Sequence, residues 1–265
     1  MCCRIAGSVR ISDDWIESAV YGMRKGGPNY QNWMKIGGMP QKSINFGHTL
    51  LSIIGQQKQP VQGDQFTMVF NGCYYNYEKK YLSDTMALLD SFEYEGPQSI
   101  MDIEGMFSIA LHDNETNKIH LFVDRLGEKN LYYYHDGDKF AFASNPATLA
   151  AIKPKWKLNR KALESFWYLG SVFGEDTLFD GIKKLMPAHH LTYDINANTI
   201  TIERYWKPTL QEKTDDIEEH IFGAINAVKV ADVPVNIFLS GGIDSTLVAS
   251  QFGGYGAVHM DSPEY

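Results

Sequence analysis

The sequence contains no uninterrupted apolar run of the roughly 18 residues that a membrane-spanning helix needs. Its amino terminus lacks a basic stretch leading into an apolar core, so no signal peptide is read there. Cysteine is scarce: Cys2, Cys3 and Cys73 are the only three in 265 residues, too few for a disulfide framework or a structural zinc set. A reducing, cytoplasmic compartment is the expectation that follows. Positive charge is in the minority, 24 Lys and Arg against 32 Asp and Glu, and the net charge of −8 argues against nucleic acid as a partner. No internal repeat and no low-complexity tract interrupts the chain. What remains is an ordinary globular composition, 44% hydrophobic, in a length that suits one large domain or two small ones.

The most informative stretch is Ser240-Gly241-Gly242-Ile243-Asp244-Ser245-Thr246. It follows Val233 to Leu239, which reads as a buried parallel strand, and precedes a helical run beginning at Thr246. A strand, a glycine-rich turn and a helix N-terminus together aim backbone N–H groups and a helix dipole at an anion. The two glycines admit phosphates close to the backbone, and Ser240 and Ser245 add hydroxyl donors. Asp244 among phosphates makes sense as a ligand for a cation such as Mg²⁺. A plain strand-to-helix turn is the competing reading, and the flanking pattern argues against it.

At the other end, Met1 to Val9 reads as a strand that begins almost at the amino terminus. Removal of Met1 leaves Cys2 with a free α-amine of pKa near 8, able to activate its own thiol. A pair of incidental cysteines at a frayed end fits these residues equally well. Ser12 to Met23 reads as a helix capped by Ser12, with Ile16, Ala19, Val20 and Met23 at helical spacing. A loop-rich section ends in the strand Phe66 to Phe70, which delivers Asn71 and Gly72. An asparagine side chain and a glycine N–H at a strand end are groups that stabilise a developing oxyanion, although Asn-Gly on its own more often marks a hairpin turn. Strands are expected at 106–111, 119–123, 131–134 and 140–143, with Asp136-Gly137 as a hairpin signal. A helix follows from Asn159 to Gly170 with a Leu163/Phe166/Trp167 face, then a strand pair around Asn196 to Asn198. A polar linker at 212–216 precedes a helix from Ile217 to Val228 whose Ile217, Ile221, Ala224, Ile225 and Val228 make a core-facing stripe. The domain boundary falls at this linker, giving domains of 1–210 and 211–265.

Together these landmarks resemble the glutamine-hydrolysing asparagine synthetases. The likeness is carried by Cys-Arg-Ile-Ala-Gly at the start, Leu-Ser-Ile at 51–53, Asn-Gly-x-x-Tyr-Asn at 71–76 and Ser-Asp-Thr at 83–85. It continues through Gly-Met-Phe-Ser-Ile-Ala-Leu at 105–111, Asp-Arg-Leu-Gly-Glu-Lys at 124–129, Asp-Val-Pro-Val at 232–235 and the glycine-rich loop. The resemblance implies an α+β fold: a four-layer αββα N-terminal-nucleophile glutaminase sandwich, then the start of an α/β PP-loop nucleotide-binding domain. It implies that the cysteine thiol attacks the glutamine side-chain amide while Asn71 and Gly72 hold the oxyanion. Asp84 would pair with the substrate α-ammonium, with Ser52 and Cys73 beside it. Ammonia would then reach an aspartyl adenylate formed from ATP and Mg²⁺ at Leu239 to Thr246, Asp244 holding the metal. Glutamine and aspartate are the implied substrates, with a homodimer as one option for assembly.

Four departures qualify the likeness. Alignment sets the family nucleophile at Cys3, whereas methionine removal exposes Cys2, and a one-residue shift on a strand turns a side chain to the opposite face. Cys2 is taken as the nucleophile, with trimming of one further residue to expose Cys3 as the alternative. Leu50 stands where the family places an arginine for the glutamine α-carboxylate, and leucine offers no charge-assisted pair. Cys73 replaces a glutamate after Asn-Gly, and Lys25-Gly26-Gly27-Pro28-Asn29 replaces His-Arg-Gly-Pro-Asp. Finally, the sequence stops 19 residues after Thr246, before a doubly wound nucleotide domain is complete, so a second polypeptide or a missing C-terminal half is expected. A non-catalytic scaffold or regulatory subunit, and a relative that amidates another acceptor, are the alternatives.

Overall fold

The computed structural model describes residues 3–37, 43–210, 216–253 and 256–259. They fall into two compact units, one of residues 1–52 and 56–208, the other of 53–55 and 209–265. The expected linker at 212–216 lies outside the described residues except for Asp216.

The first unit opens with strand β1 (Arg4–Val9), helix α1 (Asp13–Met23), β2 (Tyr30–Ile36), β3 (Ile44–Leu50), the short β4 (Val61–Gln62) and β5 (Phe66–Tyr74). Helix α2 (Asp84–Glu95) and a 3-10 turn at Gly96–Met101 lead to β6 (Gly105–Asp113) and β7 (Lys118–Val123). Then come β8 (Tyr132–His135), β9 (Phe140–Ala143), α3 (Pro146–Ala150), α4 (Arg160–Leu169), β10 (Ile182–Lys184), β11 (His189–Asp194) and β12 (Thr199–Arg204). The strands form two antiparallel sheets, ordered β10-β8-β9-β1-β3-β2 and β12-β11-β7-β6-β5-β4.

Strand alternation decides what each face buries. Ile5 and Val9 of β1, Phe46 of β3 and Phe142 of β9 turn inward to meet Val69, Ala110, Leu121 and Leu191 of the other sheet. The alternate residues face outward. Ala6 and Ala141 pack under Trp15, Ile16 and Leu149 of α1 and α3. Met68, Phe70, Ile109 and Phe122 pack under Leu88 and Phe92 of α2. The layers therefore run helix, sheet, sheet, helix: the expected αββα sandwich.

Local capping follows the sequence unevenly. Ser12 occupies the N-cap of α1, but its side chain makes no capping bond; the acids Asp13 and Asp14 complement the helix dipole instead. Ser83 caps α2 through Met86 N–H at 3.2 Å, and Asn159 caps α4 through Ala162 N–H at 3.2 Å. The expected α4 face is not buried, however. Trp167 is 81% exposed, Phe166 and Leu163 are exposed as well, and only Ala162 of that helix turns inward. Helical periodicity identified an apolar stripe, but no described element packs over it.

Polar side chains fix the loops between strands. Asp124 accepts backbone N–H groups from Phe107, Leu126, Glu128 and Lys129, at 3.0 to 3.1 Å, and so shapes the 124–129 turn. At the far end of β1, Arg10 donates to the Asp138 and Ile195 carbonyls, both at 3.1 Å. Asn198 donates to the Gly137 carbonyl and accepts from Tyr193 at 2.8 Å. These bonds join the β8–β9 hairpin of one sheet to the β11–β12 hairpin of the other.

The second unit holds α5 (Ile217–Ala227), β13 (Asn236–Phe238), α6 (Ile243–Ser250) and β14 (Gly256–Val258), with β13 and β14 parallel. Its core is small: Ile225, Ile237 and Phe252. The readings of 233–239 as a buried strand and of α5 as core-facing are corrected here. Phe238 is 78% and Ile217 74% exposed, Val228 is exposed too, and on α5 only Ile225 is buried. Two strands and two helices offer no second layer, among the described residues, to cover positions that periodicity assigns inward.

A histidine pair, His120 buried and His190 half-buried, spans β7 and β11 on the α2 side of the second sheet. His120 Nδ1 lies 2.9 Å from His190 Nε2, and the His190 ring stacks on Phe122 at 4.2 Å. Burial pushes His120 down to about 4 and His190 to about 3. With folded values below the unfolded one, their contribution is fully present above the ordinary histidine value and is lost as pH falls through the folded values. Replacing both by leucine removes both partners together. The His120→Leu/His190→Leu variant is expected to lose at least about 3 kcal/mol less than the parent between pH 7 and pH 4.5, read from denaturant midpoints.

Candidate active site

Strand β5 carries the candidate oxyanion groups, and it is longer than the sequence reading of Phe66 to Phe70. It runs to Tyr74 because β6 pairs with it residue for residue, from Phe66↔Asp113 to Tyr74↔Gly105. Asn71, Gly72 and Cys73 are thus strand residues, neither a turn nor beyond a strand end. Asn71 shares the inward face with Val69, is 4% exposed, and points its amide at Ser108 Oγ, 3.4 Å away. Cys73 shares that face and is buried. Gly72 is required by packing: a Cβ there would sit 2.0 Å from the Met106 carbonyl oxygen.

The other edge of β5 is largely open, because β4 pairs only with Thr67 and Met68. Backbone groups on that edge need partners, and side chains supply them. Buried Gln59 accepts from Phe70 N–H at 2.6 Å and donates to its carbonyl at 3.1 Å. Asp84, at the first turn of α2, accepts from Tyr74 N–H at 3.3 Å. Alternation directs Gly72 N–H to the same edge, between these two clamps. Gln59 was not singled out in the sequence; only its buried contact with β5 identifies it.

Asp84 is 4% exposed, and burial pushes its carboxyl up to about 6, opposed by hydrogen bonds from the Tyr74 and Thr85 backbone and the Thr85 hydroxyl. A buried carboxylate in this state is stabilised by a cation placed beside it. Ser52 donates its backbone N–H to Asn29 Oδ1 at 3.0 Å, which positions the 51–53 segment. Leu50 ends β3 with its side chain buried, so the arginine position is filled by an apolar group. His48, two residues earlier on β3, is fully buried, and desolvation pushes it down to about 3, opposed by the neighbouring Phe70 backbone. Nothing in the local sequence marked it.

Cys2 lies outside the described residues. Cys3, just before β1, is half-buried, and its sulfur accepts Leu51 N–H at 3.1 Å. Cys3 has the alternation parity of Ile5 and Val9, hence the inward face that also carries Asn71 and Cys73.

In the second unit, the glycine-rich segment joins β13 to α6 as expected, but α6 starts at Ile243 and not Thr246. Asp244 and Ser245 are therefore in its first turn. Gly241 holds φ of 82°, a backbone state costly for other residues, and Gly242 is the N-cap. The loop is closed by its own hydroxyls: Ser240 and Ser245 Oγ atoms are 3.0 Å apart, and Thr246 Oγ1 donates to the Gly242 carbonyl at 2.8 Å. Leu239 is held through its backbone, its N–H donating to Val258 O at 3.0 Å. A helix start with exposed N–H groups and three hydroxyls suits a phosphate. Among the described residues no three His, Cys, Asp or Glu side chains converge on a metal position, so a cation here would rest on Asp244 and the phosphates themselves.

With this geometry established, comparisons place the chain. A model of the glutamine amidotransferase domain matches residues 1–206, and one of asparagine synthase matches residues 216–257. The chain belongs to the glutamine amidotransferase family, with the beginning of an asparagine synthase region behind that domain. It is 31% identical over 239 residues to asparagine synthetase [glutamine-hydrolyzing] 3 of Bacillus subtilis, covering 80% of this chain and 39% of that protein. It is 29% identical to a putative asparagine synthetase [glutamine-hydrolyzing] 2 of Methanocaldococcus jannaschii, covering 93% and 56%. The chain thus spans roughly two-fifths to just over half of these relatives' lengths. Among solved structures it is similar to the allosteric regulatory enzyme of purine biosynthesis, with a TM-score of 0.54, 13% identity and coverage of 97% of this chain and 65% of that one. That likeness supports the fold.

Asp84 gives a test of this geometry. A folded value raised to about 6 means that its stabilising contribution is present below the unfolded value and lost as pH rises through about 6. Asp84→Asn keeps an acceptor for Tyr74 N–H. It is therefore expected to be more stable than the parent at pH 7, by about 2–3 kcal/mol, with the gain vanishing below pH 4; thermal melts at both pH values check this.

Proposed function

We propose that this chain is the glutaminase portion of a glutamine-dependent asparagine synthetase, releasing ammonia from glutamine for the ATP-dependent amidation of aspartate. The observation that carries the reading is strand β5, which carries Asn71 on its inward face, Gly72 N–H along its open edge and the buried Asp84 carboxylate on Tyr74 N–H. Asn71 and Gly72 take the oxyanion formed when a cysteine thiolate attacks the side-chain amide. Asp84 takes the substrate α-ammonium, with Ser52 and Cys73 lining the same region. An amino-terminal amine takes the thiol proton and delivers it to the departing ammonia. Inward parity supports Cys3 as the nucleophile, freed by trimming of Met1 and Cys2, in place of the Cys2 expected from methionine removal.

In this reading the loop from Leu239 to Thr246 binds ATP, Asp244 holds Mg²⁺, and a C-terminal half or second polypeptide supplies the aspartate pocket. The setting is the reducing cytoplasm, where the thiol stays reduced, and a homodimer is a compatible assembly. One observation favours a second reading: Leu50 buries an apolar side chain where the α-carboxylate needs a cation. On that reading the domain is a non-catalytic scaffold.

Glutamate release from glutamine by the purified chain separates the two. The expected result is release that is abolished by Cys3→Ala and retained by Cys2→Ala, with KM rising below about pH 6 as Asp84 protonates. A well-folded parent that neither binds glutamine by calorimetry nor releases glutamate would leave the scaffold reading.

A further inference from the structure

The β4–β5 ladder sets Gln62 against Thr67 and Val61 against Met68. Antiparallel pairs exchange two hydrogen bonds at every second position. Gly63 N–H bonds the Phe66 carbonyl at 2.8 Å, so the next such positions in this register pair residue 61 with 68 and residue 59 with 70. Strand β4 stops at Val61, before the last of these is reached. The Gln59 side chain stands in for the missing ladder residue. Its Oε1 accepts Phe70 N–H at 2.6 Å, and its Nε2 donates to the Phe70 carbonyl at 3.1 Å. One carboxamide thus makes both bonds of a strand neighbour without bringing a backbone along.

The substitution has a consequence one position further on. A backbone strand continued in this register would lay residue 57 against Gly72, and its carbonyl would take Gly72 N–H. A side-chain clamp ends at Phe70 and leaves the edge at Gly72 uncovered. The clamp is also firmly placed. Gln59 is 2% exposed, and its Nε2 also lies 3.4 Å from Thr85 Oγ1, beside Asp84 on α2. With β6 paired along the other edge of β5, the Phe70 peptide is held from both sides.

Asn71 and Gly72 follow directly on that peptide. Oxyanion donors act only when held within hydrogen-bond distance of the place where charge develops, and displacements well under the width of an atom are costly. We propose that Gln59 is a positioning residue of the glutaminase reaction: its carboxamide fixes the Phe70 peptide so that Asn71 and Gly72 N–H stay aimed at the oxyanion, while the edge at Gly72 is kept open for substrate. The inference rests on Asn71 and Gly72 being the oxyanion groups, as proposed above.

Steady-state glutaminase kinetics of the full chain test it. Gln59→Leu removes the amide at similar volume and is expected to lower kcat by at least about tenfold while KM stays within about threefold. A role confined to stability lowers the melting temperature and leaves kcat of the folded protein unchanged. Gln59→Glu is the conservative variant. As the neutral acid it keeps one donor for the Phe70 carbonyl and one acceptor for its N–H; as the carboxylate it loses the donor. Its kcat relative to the parent's is therefore expected to rise as pH falls from about 8.5 to about 6, with limbs common to both proteins cancelling in the ratio. An active parent with a folded Gln59→Leu of unchanged kcat would overturn the role of Gln59 alone. Should Gln59→Leu not fold, a Gln59→Glu ratio that is flat across this pH range would do the same. A parent that releases no glutamate would overturn the oxyanion reading and this role with it.

Discussion

A strand that runs past its neighbour leaves backbone donors and acceptors that something else has to satisfy. In this protein that requirement falls on β5, which continues well beyond the two-residue β4. Gln59 closes Phe70 and Asp84 closes Tyr74, and each clamp fixes a larger element: Asp84 anchors the start of α2, and Gln59 anchors the 56–62 segment. The interval between them is set by strand geometry, so Gly72 N–H lies at a defined place along an edge that is rigid on both sides. Satisfying β5 and building the site are the same structural act.

The candidate site includes polar groups whose burial is costly. Asp84 is buried, and desolvation raises its proton affinity. His48 is buried nearby on β3 and kept neutral. Against these stands a continuous apolar layer between the sheets, with fully buried Phe46, Phe140 and Phe142 among its members. Local stability is commonly given up where proteins bind or react, and the candidate positions follow that pattern.

Much of the first unit was legible because its strands are short, regular and locally punctuated. The four strands between 106 and 143, the Asp136-Gly137 hairpin and the Asn159 cap depend on neighbours in sequence, and periodicity and turn chemistry report them. A continuous meander from Met106 to Ser144, which the same pattern suggests, is not formed, because β6–β7 and β8–β9 belong to different sheets. The Asn71-Gly72 pair was ambiguous for the converse reason. Its local propensity favours a turn, and pairing with β6, over thirty residues away, keeps it in a strand. Gln59, His48 and the His120–His190 pair were illegible because their partners are tertiary. The apolar stripes of α4 and α5 were legible as stripes, but periodicity says only that a face is apolar. It does not say that anything covers it.

The hydrogen bonds around Arg10 and Asn198 have a mechanical consequence. They fasten the two sheets together at the end where β1 finishes, while Cys3 lies at the end where β1 begins. The pins therefore sit at the opposite end of β1 from Cys3, and the inward face of β5 carries Asn71 and Cys73 toward that same unpinned end.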